Sequence, residues 1–337
     1  MSNSILSYSY GPFLTRDLHE TYGAKYLEPS DIAHASQACK QWKLVFSDQN
    51  LWKALSKKEG IPLVFSLTGQ PRDYREDFKT LYPITEVSGR KIGQYIGTVD
   101  EEIPYISEEH FNELNKLDPY EKGKLKKETW VVVVVPSYVL RTASQDAPLA
   151  LYEAGNLVEN QQTVSPEEKQ LKIPLSLKNL KILCLYPLKG KENMPVFDPN
   201  SESTVFDQCG LSTNKINIYF MRRHIVEESR GKPYAEQEQL LKDHGDKVIP
   251  LMPRALFDVI SILQKGNCPD GCVPRWTFAR HPDMVGYGNY AYRSIIGSFA
   301  PLSGVNVENS SFCGVVYDHA SIGVVPGGPA EVPVIGN

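Results

Sequence analysis

The chain has 337 residues, 41% hydrophobic and 23% charged, with a formal net charge of -4. That length leaves room for about two domains and a sizeable core, and the basic clusters sit among acids, which argues against a nucleic-acid partner. The longest uncharged apolar run, 130–140, contains Pro136 and falls short of the ~20 residues a spanning helix needs, so no membrane partner is expected.

The opening "MSNSILSYSYGPF" has no charged region ahead of an apolar core, so no secretory signal of the usual kind is expected and the protein is read as cytoplasmic. Residues 13–60 then predict three short helices. Thr15 is the first N-cap, and Leu14, Leu18, Tyr22 and Tyr26 follow at four-residue steps, with Gly23 weakening the middle. Pro29 and Ser30 open the second helix, with Asp31 where the helix dipole favours an acid. Ile32, Ala35, Cys39, Trp42 and Phe46 form its inner stripe. Ser47 and Asp48 offer the next cap, Leu51, Trp52 and Leu55 make the third inner face, and Gly60 and Pro62 end it. Trp42 is expected in the core. Trp52, on a short helix with little else to pack on, is expected at a partner surface.

Residues 61–128 predict a connecting subdomain. "DYREDFKTLYP" and "SEEHFNELNKLD", the latter capped by Ser107, suggest helices, and "RKIGQYIGTV" between them suggests a strand. From 129 to 322 the pattern is that of an α/β domain. "TWVVVVV" is β-branched on both faces, as in a strand covered on both sides. Periodicity leaves "SLKNLKILCLY" open between helix and strand. "KINIYFM", "PYAEQEQLLKDHG", "KVIPL", "RALFDVISILQKG" and "RWTFAR" alternate strand, helix, strand, helix, strand, which predicts a parallel sheet. "YRSIIGSFA" and "FCGVVYD" add two strands, and the Gly/Pro-rich tail 323–337 is expected to be irregular. The fold class is therefore α+β or α/β multidomain, a three-helix module followed by a mixed or parallel α/β domain.

One stretch carries a specific pattern: Leu27, Pro29, Asp31-Ile32, Cys39-Lys40, Trp42, Asp48 and Leu51-Trp52-Lys53. In this order and spacing it resembles the F-box, a three-helix module of SCF-type ubiquitin ligases. The resemblance implies that Leu27, Pro29, Ile32, Cys39, Trp42, Leu51 and Trp52 serve a docking site for the SCF adaptor protein (of the S-phase-kinase-associated type). Through it the chain would reach a cullin, while the remainder presents a protein target for ubiquitylation. Tryptophans suit such a role because they bury much area with few rotatable bonds. The whole is similar to F-box proteins of intracellular bacteria, which implies an effector in host cytosol. The alternative is that these helices only cap the downstream domain.

The other constellations point to less. Cys268 and Cys272 lack a second cysteine pair, His281 being the nearest further ligand, so no metal is expected and the six cysteines are read as reduced thiols. Arg222, Arg223, Arg230 and Lys232 lie between a strand and a helix, where a small anion binds in an α/β sheet, although a self-paired loop is the competing reading. "GYGNYA" fits a dinucleotide-loop spacing only by letters, since a strand follows it. Asp318-His319 fits a surface turn. No catalytic motif or cofactor loop is found. An adaptor is therefore favoured over an enzyme, with an anion-binding α/β enzyme carrying a helical interaction module as the rival.

Overall fold

A computed structural model describes residues 28–38, 43–44, 46–142, 148–157, 170–188, 196–201, 203–210, 212–265, 278–287, 290–300, 304–309 and 320–330. The first helix expected in 13–60, Leu27, Cys39, Trp42, the Cys268–Cys272 turn, "FCGVVYD" and Asp318-His319 lie outside the described residues.

In chain order, α1 (Pro29–Ala38) and α2 (Gln49–Glu59) are followed by β1 (Val64–Phe65), α3 (Tyr74–Ile84), β2 (Thr85–Val87), α4 (Gly89–Tyr95), β3 (Ile106–Ser107), α5 (Glu108–Glu113) and α6 (Lys126–Thr129). Then come β4 (Trp130–Val135), β5 (Tyr138–Thr142), α7 (Pro148–Ala154), β6 (Asn156–Leu157), β7 (Gln170–Pro174), α8 (Leu177–Leu185) and α9 (Ser203–Gln208). The chain continues with β8 (Asn217–Arg222), α10 (Tyr234–Lys242), α11 (Leu251–Lys265), β9 (Phe278–Tyr287), β10 (Tyr290–Ala300), β11 (Gly304–Asn309), β12 (Ile322–Val324) and β13 (Gly327–Pro329). The architecture is α+β with mixed sheets.

Strand β4 organises the molecule. Its residues alternate between two buried layers: Val131, Val133 and Val135 face a core built on α8 and α11, whereas Trp130, Val132 and Val134 face a second core containing α2 and α3. Period-two alternation into two apolar layers is why the run "WVVVVV" is β-branched throughout. Nearly all of α11 is buried, so this helix fills the space between the β4 sheet and the β9–β10 sheet.

The expectation of a parallel sheet across 215–280 is corrected. The β4 sheet runs β13-β8-β4-β2, with β4–β8 and β8–β13 antiparallel and only β2–β4 parallel. Both edges of β8 are thus occupied, and β9 belongs to a separate sheet, β11-β10-β9-β12. "KVIPL" forms a single bridge from Val248 to Pro326 in place of a strand. "SLKNLKILCLY" resolves as α8, capped by Ser176.

Two further expectations fall. "RKIGQYIGTV" is mostly helix α4, whose N-cap Ser88 accepts from the Lys91 amide. The tail is not irregular throughout, because β12 and β13 add edge strands to both four-stranded sheets. Gly327 makes this possible: a Cβ there would lie 2.7 Å from the Phe220 carbonyl oxygen, closer than any side chain tolerates.

Buried polar groups join these layers. His281 on β9 is fully buried, and its Nδ1–H donates to the Ile249 carbonyl at 2.9 Å. Burial pushes its pKa down to about 4, against partial compensation from that hydrogen bond and from Asp283. An unfolded chain protonates the same imidazole near pH 6.5, so stability is full above that pH and falls as pH drops toward 4. The slope is about 1.4 kcal/mol per pH unit. Urea unfolding should therefore show about 2 kcal/mol less stability at pH 5 than at pH 7.5 from this group alone. His281→Gln should remove that part of the pH dependence, and equal pH profiles in both proteins would contradict the assignment.

Candidate docking site

Glu28 and Asp31 build the start of α1: the Glu28 amide donates to Asp31 Oδ2 at 3.1 Å, and the Asp31 and Ile32 amides return to the Glu28 carbonyl. Pro29 occupies the first helical position, where its missing N–H costs nothing. Ile32 is fully buried beside Leu51 and Leu55, while Ser30, Asp31, Ala33, His34 and Gln37 are exposed. The charge-bearing edge of α1 thus faces outward, and one branched side chain plugs it into the interior.

Helix α2 is better anchored. Asp48 in extended geometry accepts from the Asn50 amide at 2.7 Å, a regular N-cap. At the other end Gly60 is left-handed (φ 70°), its N–H reaching Lys57 and Ser56 carbonyls, and the Ile61 amide returns to Ser56. This is the glycine-terminated end that the sequence indicated. A Cβ on Gly60 would also meet the Gly89 amide nitrogen at 2.3 Å, so the close approach of α2 and α4 requires glycine.

The structure moves Trp52 inward. Its ring is only 5% exposed, lies 5.3 Å from the Phe78 ring with a 58° tilt, and carries the Arg75 guanidinium over one face. Its indole N–H donates to the Phe46 carbonyl at 2.7 Å. Leu51 is likewise buried in the same core. The expectation that Trp52 faces a partner is therefore corrected: α3 supplies the apolar surface that the isolated pattern lacked. Gln49 reinforces this contact, accepting from the Tyr74 amide and donating to Asp73, the N-cap of α3.

What remains outside is a residue the inner stripe passed over. Leu44 is 74% exposed, at the turn whose Ser47 hydroxyl and amide both return to the Leu44 carbonyl. Its position two residues from Phe46 on a helical pattern places it off the stripe, which was the available sequence signal. Lys43 beside it is also exposed.

An ionic seam fixes the helices to α4. The Arg90 guanidinium forks onto both Glu28 oxygens at 2.8 Å and onto the Glu59 carboxylate at 2.8 and 2.9 Å. Its hydrogen bonds hold the Glu28 carboxyl below the usual carboxylate range, and the two carboxylates raise Arg90 further above its ordinary value. Lys58 stands 3.9 Å from Glu28.

Much of the basic loop read as a candidate anion site is paired within the chain. Arg222 contacts Asp118 and Glu121, each at 3.2 Å, and donates to the His224 and Ile225 carbonyls. Arg223 pairs with Glu86, and Arg230 pairs with Glu227. Three of the four proposed cations, Arg222, Arg223 and Arg230, thus have carboxylate partners, while the Lys232 backbone carbonyl accepts from Arg280. These pairings are what the self-paired reading of the loop expects. Among the described residues no group of three or more His, Cys, Asp or Glu side chains is arranged to hold a metal, and no helix is long and apolar enough to cross a membrane.

Among the described residues, two short helices sit on a larger α+β body and leave Leu44 and part of α1 exposed. The match to a known family falls on this helical segment, with residues 24–58 fitting the model of the F-box-like family. The segment is F-box-like, the kind of protein-interaction module typical of SCF ubiquitin ligase components. No curated protein and no solved structure matches the chain.

Proposed function

We propose that the protein is a substrate-recruiting adaptor. Its F-box-like segment docks on the adaptor subunit of an SCF ubiquitin ligase, and through it on a cullin, while the α+β body presents a protein target. Chemistry then occurs on other subunits, and this chain contributes proximity and orientation. The observation that carries the reading is the family match over 24–58, joined to the exposure, among the described residues, of Leu44 and of Ser30, Asp31, Ala33, His34 and Gln37 on α1. Leu51 and Trp52 support docking indirectly, by holding α2 against α3, and Pro29 and Ile32 by setting the direction of α1. Leu27, Cys39 and Trp42 complete the proposed docking residues.

Co-purification with the eukaryotic adaptor tests this. The parent chain should capture it, and Leu44→Glu should weaken capture by about 2 kcal/mol, the size of an interface hot spot. Leu44 is exposed, so that variant should keep the parent unfolding midpoint. No capture by the parent, or undiminished capture by folded Leu44→Glu, would reject the site.

A further inference from the structure

Helix α1 reaches the core, among its described side chains, through Ile32. It is 10 residues long, below the length of about 12–15 at which an isolated helix begins to persist in water. Among its described side chains only Ile32 is buried. Two clefts flank α4: one of about 540 Å³ runs past Lys57, Gly60, Gly89 and Ile103, and one of about 420 Å³ reaches Glu28 at the start of α1, past Tyr82 and Lys91. Arg90 lines both clefts. Between the clefts, its side chain grips Glu28 at the start of α1 and Glu59 at the end of α2.

From this geometry we infer that Arg90 is a positioning residue: an ionic latch that selects one orientation of α1 against the body. The fork is suited to the task. A guanidinium presents its donors in a fixed plane, so gripping two carboxylates at once fixes direction as well as distance. Glu59 is buried on α2, and α2 is locked into the core by Leu51, Trp52 and Leu55. Arg90 therefore transmits the position of a rigid helix to α1, whose described side chains enter the core at Ile32 alone. Its removal frees α1 to open locally while the body keeps its fold.

Amide hydrogen exchange on the full chain reads this directly. In Arg90→Ala, amides of residues 32–38 should exchange about tenfold faster or more, while those of β4 keep the parent rate. Glu28→Gln, on the exposed side of the latch, should reproduce the local acceleration, and it decides the matter if Arg90→Ala fails to fold. Arg90→Lys, which keeps the charge without the fork, should stay closer to Arg90→Ala than to the parent. Unchanged exchange at 32–38 in Glu28→Gln, or equal acceleration at β4, would overturn the latch. The functional consequence rests on the docking reading: a loosened α1 must be reordered by its partner, so Glu28→Gln should bind the SCF adaptor several-fold more weakly. The exchange experiment contains no adaptor, so its failure rejects the latch, whereas failed capture by the parent rejects docking.

Discussion

Trp52→Ala should lower the unfolding free energy by about 3–5 kcal/mol, the range for removing a large aromatic from a packed interior. The indole occupies the contact between α2 and α3, tilted against Phe78 and beneath Arg75. Truncation opens a cavity whose lining comes from two helices and the β4 sheet, so the site cannot collapse onto itself. The hydrogen bond from Nε1 to the Phe46 carbonyl disappears as well. Trp52→Phe separates the two contributions, since it keeps most of the apolar area and loses that bond, at about 1 kcal/mol. Denaturant midpoints of the two variants make the comparison. Near-parent stability in Trp52→Ala would mean that this tryptophan is a surface residue after all. Any loss of adaptor capture by Trp52→Ala should accordingly track its loss of folding, in contrast to Leu44→Glu.

Asp118→Ala should cost about 3 kcal/mol, because it strands a buried cation. The Asp118 carboxylate is inaccessible to solvent and accepts from Arg222 Nε at 3.2 Å, Thr129 Oγ1 at 2.5 Å and the Tyr120 amide at 2.9 Å. Arg222 keeps Glu121, but that carboxylate is partly solvated and compensates less. The double variant Asp118→Leu with Arg222→Met should be less destabilised than Asp118→Ala, because an apolar pair of similar volume removes both desolvation penalties. Additive losses in the double variant would show that the two side chains do not depend on each other. The network ties the 116–128 loop to β8, so its failure should also disturb the neighbouring Tyr120–Asp246 hydrogen bond.

The segments most legible in the sequence were those whose signal is local. Asp48, Ser107 and Gly60 cap helices as their side chains or lack of one dictate, and the valine run announced a strand buried on both faces. Sheet membership was not local. Strand β8 looked like part of a parallel series because helices follow it, yet its partners β4 and β13 come from distant segments. Helix α4 is hard to read in the sequence because Gly93 and Gly97 weaken a helical pattern that Ser88 and Ile92 carry. The F-box-like pattern was recognisable from residues 27 to 53, and the family match covers the same stretch. Which of its side chains face outward was not recognisable, since burial of Trp52 depends on Phe78, outside the motif. Arg90 is hidden in the sequence for the same reason: its partners lie 62 and 31 residues away.

The central claim is that the F-box-like segment is the surface that binds the SCF adaptor, and a hydrogen-exchange footprint tests it most directly. With saturating adaptor, amides in α1, the 43–47 turn and the start of α2 should gain protection, while β4, β8 and the β9–β10 hairpin stay unchanged. Protection confined to the sheets, or no change anywhere in 28–59, would contradict it.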